Sequence, residues 1–245
     1  MSGPITAQLS GWLAQAWATD SPALPTMGAM QVWLQLGWSV VLAWLGVSLS
    51  GAWPAGQRFR PLATWLLGVG LAVWVWVPGS AGAAHWLGLA FQAPSVVGVL
   101  LCVLLLAGRA RGNADTRTLK FYAGAARRNI DDQANWLVWL GVVLGWALLL
   151  DSLAVLPFQL YARGFSPAAL GGVVLVALLP WTVSRQQFGA GAWAVSWVVP
   201  LALLGFVVWR LPTGNVWDTV LDPWTWLLLQ MWLLKRGWSR YKNSS

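Results

Sequence analysis

Charge is what this sequence has least of. Only 9% of its 245 residues are Asp, Glu, Lys or Arg, against about 25% in soluble domains, too few to wet the surface of a globule. Glutamate is absent and all 7 acidic residues are aspartates. One cysteine, Cys102, excludes an intrachain disulfide, a zinc cluster or an iron–sulfur site. One histidine, His85, excludes a bis-histidine haem and the usual multi-histidine metal centres. Residues 1–30 contain no Lys or Arg, and Pro22 and Pro25 break their apolar stretch, so no signal peptide is expected. A nucleotide loop, a Ser/His/Asp set and paired carboxylates within membrane reach are also missing, so the chain does not read as an enzyme and no cofactor follows from a ligand set.

Apolar residues fill the space. They make up 58% of the chain, 22 of them tryptophan, and the mean hydropathy is +0.62. A helix needs about 20 residues to cross about 30 Å of hydrocarbon. Six stretches approach that length: 31–50, 61–77, 86–107, 136–156, 167–183 and 192–209. A seventh, from Pro223 to Leu234, is short. The expected fold is therefore all-α, a polytopic transmembrane bundle of about seven spans in one integral membrane domain covering residues 1–245.

The cations set its orientation. The net charge of +8 raises nucleic acid as a partner, but Lys and Arg fall in short runs at the ends of apolar segments. That placement serves topology and anionic lipid headgroups instead. With the N-terminus outside and the C-terminus inside, all but Arg163 and Arg210 of the 15 basic residues lie on the inner side, as the positive-inside rule requires. The localisation expected is a bacterial-type inner membrane. Residues 1–30 then form an outer-surface amphipathic segment, with Ile5, Leu9, Trp12, Leu13, Ala16 and Trp17 at helical spacing. Spans one to three occupy 31–107, a cytoplasmic basic loop 108–135, spans four to six 136–209, and an outer loop, short span and basic tail 210–245. Within the basic loop, Arg117, Lys120, Arg127 and Arg128 flank an amphipathic pattern suited to the inner leaflet or to a partner protein.

Few residues inside the spans offer chemistry. Asp151 is the one acidic candidate and sits near the outer end of span four. It either pairs with Arg163 or caps a local break before Pro157, or else it takes up protons or cations from outside. Gln92 lies at comparable depth with His85 above it and Pro94 and Ser95 below, so these residues either line one outer polar pocket or satisfy a proline kink. Deep tryptophans such as Trp44, Trp65 and Trp146 mark tight helix packing or a groove for a flat apolar ligand such as a quinone, carotenoid or lipid. Gly141 and Gly145 form a GxxxG that permits close helix approach. Asp222 before Pro223 has the pattern of an N-cap followed by the first helical position.

The leading expectation is a non-catalytic integral membrane subunit that packs against other integral membrane proteins, with anionic lipids as further partners. The alternative is a small ion- or proton-coupled transporter or channel using Asp151.

Overall fold

Pro25 and Thr26 open the first long helix, because proline cannot continue a preceding helix and the Thr26 hydroxyl accepts the Ala29 N–H at 3.3 Å. The computed structural model describes residues 15, 18, 23–50, 60–110, 130–183 and 197–244, and among them it is all-helical. The helices are α1 (Met27–Ser50), α2 (Arg60–Trp74), α3 (Ala83–Phe91), α4 (Val96–Ala110), α5 (Ile130–Ser152), α6 (Leu160–Arg163), α7 (Pro167–Val183), α8 (Val198–Trp209), α9 (Val216–Val220) and α10 (Pro223–Ser244). The 5–17 pattern, apart from Gln15, and the basic-loop candidates Arg117, Lys120, Arg127 and Arg128 lie outside the described residues.

Helix α1, at 24 residues, is the one helix among those described that is both long and apolar enough to cross a membrane. Leu62–Trp74, Val96–Ala110, Val138–Ser152, Pro167–Leu178 and Val198–Trp209 are apolar but shorter. The main departure from the sequence expectation is at 86–107, read as one kinked span. It is two helices, α3 and α4, separated at Gln92–Ser95. Pro94 lacks an N–H, and Gln92 turns the chain with φ 61° and ψ −155°, a conformation costly for any residue with a Cβ. The last helix departs the other way. It starts at Pro223 as expected but runs on through Lys235 and Arg236 to Ser244.

Three apolar clusters hold the helices together. Trp38 and Val41 of α1 meet Ala83 and Ala84 of α3 and Cys102 of α4. Val96 and Val97 of α4 meet Val198 and Ala202 of α8. Ala169 and Ala177 of α7 meet Leu203 and Phe206 of α8 and Val216 of α9. Helix α5 packs on α10 through its two glycines: a Cβ on Gly145 would stand 2.1 Å from the Trp226 ring, and one on Gly141 would stand 2.8 Å from Leu229. The GxxxG is thus a socket for the Trp226 indole, whose Nε1–H donates to the Val142 carbonyl at 3.2 Å. Large apolar side chains also cover the outside, among them Leu66, Val73, Val143, Leu175 and Leu204, each more than half exposed.

Candidate functional site

The break at Gln92–Ser95 frees backbone carbonyls, and a buried carbonyl without a donor is costly. Two indoles of α1 satisfy them. Trp38 Nε1–H donates to the Gln92 carbonyl at 2.8 Å and Trp33 Nε1–H to the Pro94 carbonyl at 2.9 Å. Elsewhere Trp74 donates to Ala81, Trp86 to Ser80 and Trp217 to Leu160, again backbone carbonyls at turns or helix starts. Five of the 22 tryptophans are therefore used at helix interruptions and turns, each indole pairing an apolar body with one donor. Among the described residues Trp224 Nε1 is the buried side-chain polar atom without a partner, while its ring meets Phe91 edge-on.

Below the break lies a buried polar knot. Ser95, fully buried, caps α4 by accepting the Gly98 N–H on its hydroxyl at 3.0 Å. Asp222, 5% exposed, caps α10 by accepting the Thr225 N–H on Oδ1. Its other oxygen, Oδ2, accepts the Ser95 N–H at 2.5 Å and the Thr225 hydroxyl at 3.1 Å. One carboxylate thus sits at the N-termini of two helices, where N–H donors and both helix dipoles favour negative charge. Gly98 makes room for it, since a Cβ there would fall 2.5 Å from Thr225 Oγ1 and 3.2 Å from Asp222 Oδ2. The N-cap role of Asp222 was legible in its Asp-Pro pair; the second helix it serves was not.

A second polar group gathers the connections around α6 and α9. The Tyr161 hydroxyl and the Thr213 hydroxyl both donate to Asp218 Oδ2, the former at 2.7 Å. Buried Asn215 caps α9 by accepting the Trp217 N–H at 3.0 Å and donates its amide to the Tyr161 carbonyl at 2.9 Å. Burial holds the Asp218 carboxyl above its ordinary range; the Thr213 and Tyr161 hydrogen bonds pull it down and the Asp222 charge adds to the rise. The Tyr161 phenol is also pushed up, first by burial and then by the Asp218 charge.

The residues singled out by sequence are dispersed among these features. Asp151 Oδ2 accepts the Tyr161 backbone N–H at 2.8 Å, so it holds the start of the α6 turn. Arg163 ends that turn and offers its carbonyl to the Ser166 hydroxyl. Gln92 supplies its backbone to Trp38 while its side chain is exposed, and exposed His85 meets Trp86 edge-on at 5.1 Å. The indoles of Trp38 and Trp33, not these polar side chains, satisfy the proline break. Among the described residues no group of three His, Cys or acidic side chains is placed to hold a metal. Sequence reasoning missed Ser95 as a cap, although its bond to Gly98 is local, because residues 86–107 read as one span with no helix start at 95. It missed Tyr161 as the link between Asp151 and Asp218 because the Tyr161–Asp218 contact spans 57 residues.

Protein-family profiles, curated proteins and solved structures give no match to this chain.

Proposed function

We propose that this protein is a non-catalytic, multi-pass inner-membrane subunit that packs within a larger assembly of integral membrane proteins. One observation carries the reading: the buried polar groups, Ser95, Ser166, Asn215, Thr219, Asp222 and Thr225, are bonded to helix ends and turns. They hold the described helices together. Apolar side chains face outward on α2, α5, α7 and α8, as expected of surfaces that meet lipid or other spans. Seven crossings with the N-terminus outside and the C-terminus inside fit the distribution of Lys and Arg. The shorter helices α2, α7 and α8 then rely on tilt-free crossing, local thinning or flanking residues.

Reporter fusions at residues 1, 120 and 245 test the topology: outside, inside and inside are expected, and an outside signal at 245 removes the last crossing. Blue native electrophoresis of mildly solubilised membranes, with cross-linking, tests the assembly. Co-migration with other integral proteins is expected, and a lone monomer refutes it.

The alternative, an ion- or proton-coupled transporter or channel using Asp151, could also draw on the α3–α4 interruption, since broken helices present backbone groups to substrates in many transporters. Here the half-helix N-terminus at Ser95 is filled by Asp222, which favours a structural use of the break.

A further inference from the structure

Between α1 and α2 runs an apolar groove of about 220 Å³, lined by Ala43, Val47, Gly68, Val69 and Ala72 among others, and by Leu106 of α4. From Ser39 to Val47 the wall rises about 12 Å along α1 at 1.5 Å per residue, enough for a stretch of alkyl chain. The two ends differ. At the Ser39 end the polar atoms are already used: Trp76 Nε1–H donates to the Ser39 hydroxyl at 3.0 Å, and that hydroxyl donates to the Ala72 carbonyl at 3.1 Å. A ligand with a carbonyl-bearing ring, such as a quinone, finds no spare donor from this pair.

At the Val47 end a polar rim begins. Ser50 donates to Thr64 at 2.9 Å, and Arg109 donates to the Ser48 hydroxyl at 3.1 Å. Arg109 stands three residues beyond Leu106 on α4, hence on the same helix face as the groove wall. Among the described residues its guanidinium has that one hydrogen bond and no carboxylate partner. Four of its five N–H donors therefore remain to meet an acceptor at the groove mouth.

Inside hydrocarbon an apolar groove alone selects nothing, because a lipid tail gains little by leaving other tails. Selection has to come from the headgroup, and a guanidinium at the inner rim favours phosphate and negative charge. We propose that this groove is a binding site for one anionic phospholipid of the inner leaflet, with an acyl chain along Ala43 and Val69 and the phosphate at Arg109. The site rests on the membrane reading and orientation given above.

Photo-cross-linking of the whole protein in mild detergent tests it, using phosphatidylglycerol and phosphatidylcholine that carry the same diazirine-labelled acyl chain. Phosphatidylglycerol adducts are expected on residues 43–47 and 68–73 at several times the phosphatidylcholine yield. Arg109→Gln should abolish that preference while Arg109→Lys retains most of it, which separates lost charge from lost fold. Val69→Trp should clear the groove adducts of both lipids. Equal yields from the two lipids, or equal labelling around Leu175 and Leu204, overturn the site. Release of the wild-type protein from membranes by alkaline carbonate overturns the membrane reading itself, whereas retention with unselective labelling overturns the lipid site alone.

Discussion

The Asp222 carboxylate accepts the backbone N–H of Ser95 across 127 residues of sequence. Because Ser95 starts α4 and Asp222 starts α10, this bond ties the last helix to the interrupted third segment. Asp222→Ala would leave the Ser95 and Thr225 N–H groups buried without acceptors, at about 1–3 kcal/mol each. Asp222→Asn keeps one oxygen for one of them. Thermal unfolding in detergent should therefore rank wild type above Asp222→Asn, and Asp222→Asn above Asp222→Ala. Equal stability of all three would show that the carboxylate is not a clamp.

The α5–α10 contact predicts a steric effect. A methyl on Gly145 meets the Trp226 ring well inside van der Waals contact, so Gly145→Ala should destabilise by about 1–3 kcal/mol, the usual cost of overpacking. Trp226→Leu in the same chain should recover part of the loss, because a smaller side chain vacates the socket. A Gly145→Ala protein as stable as wild type would place Trp226 elsewhere.

Helix starts were legible where chemistry was local. Pro167 and Pro223 each open a helix, preceded by the capping residues Ser166 and Asp222, because an N-cap and a proline at the first position act within four residues. What joins those helices was hidden. Asp151 stands out in the sequence as a carboxylate in an apolar run, yet among the described residues the buried carboxylate is Asp222, which the sequence marks only as a local N-cap. The deep tryptophans suggest tight packing or a groove for a flat ligand, whereas the use of Trp33 and Trp38 on a broken helix end depends on where Gln92 and Pro94 free carbonyls. Neighbouring sequence does not encode that distance.

Gln92 holds a backbone conformation suited to glycine. Its carbonyl is used by Trp38 and its side chain is exposed. Gln92→Gly should raise stability by about 1 kcal/mol, within the cost of a sparsely populated φ/ψ region. Trp38→Phe should lower it by about 1–3 kcal/mol, since the Gln92 carbonyl then loses its donor. Chemical denaturation of the two single variants checks both signs, and a destabilised Gln92→Gly protein refutes the strained turn.

Asp218 gives a pH dependence with a definite sign. Its carboxyl is raised in the fold, so the folded state holds the proton more tightly than the unfolded chain. That contribution is fully present below the unfolded aspartate pKa of about 3.9 and is lost as pH rises through the higher folded value. Asp218→Asn removes the titration and keeps an acceptor for Tyr161 and Thr213. Between pH 7 and pH 4 the wild type should therefore gain stability relative to Asp218→Asn. A parallel pH profile for the two proteins would contradict the raised carboxyl.

The choice between a packing subunit and an ion-coupled transporter turns on Asp151. Among the described residues its carboxylate accepts the Tyr161 backbone N–H, and a partly exposed hydrogen bond of this kind contributes about 0.5–1.5 kcal/mol. Asparagine can accept the same N–H. Asp151→Asn is therefore expected to insert, assemble and support growth as the wild type does, with a melting temperature changed by no more than a few degrees. A transporter that relied on this carboxylate would behave differently, since the substitution removes its proton or cation ligand while leaving the fold intact. Proteoliposomes carrying each protein, loaded with a pH-sensitive dye and given an ion gradient, distinguish the two. A flux seen with wild type and lost with a correctly folded Asp151→Asn protein would replace the subunit reading with transport.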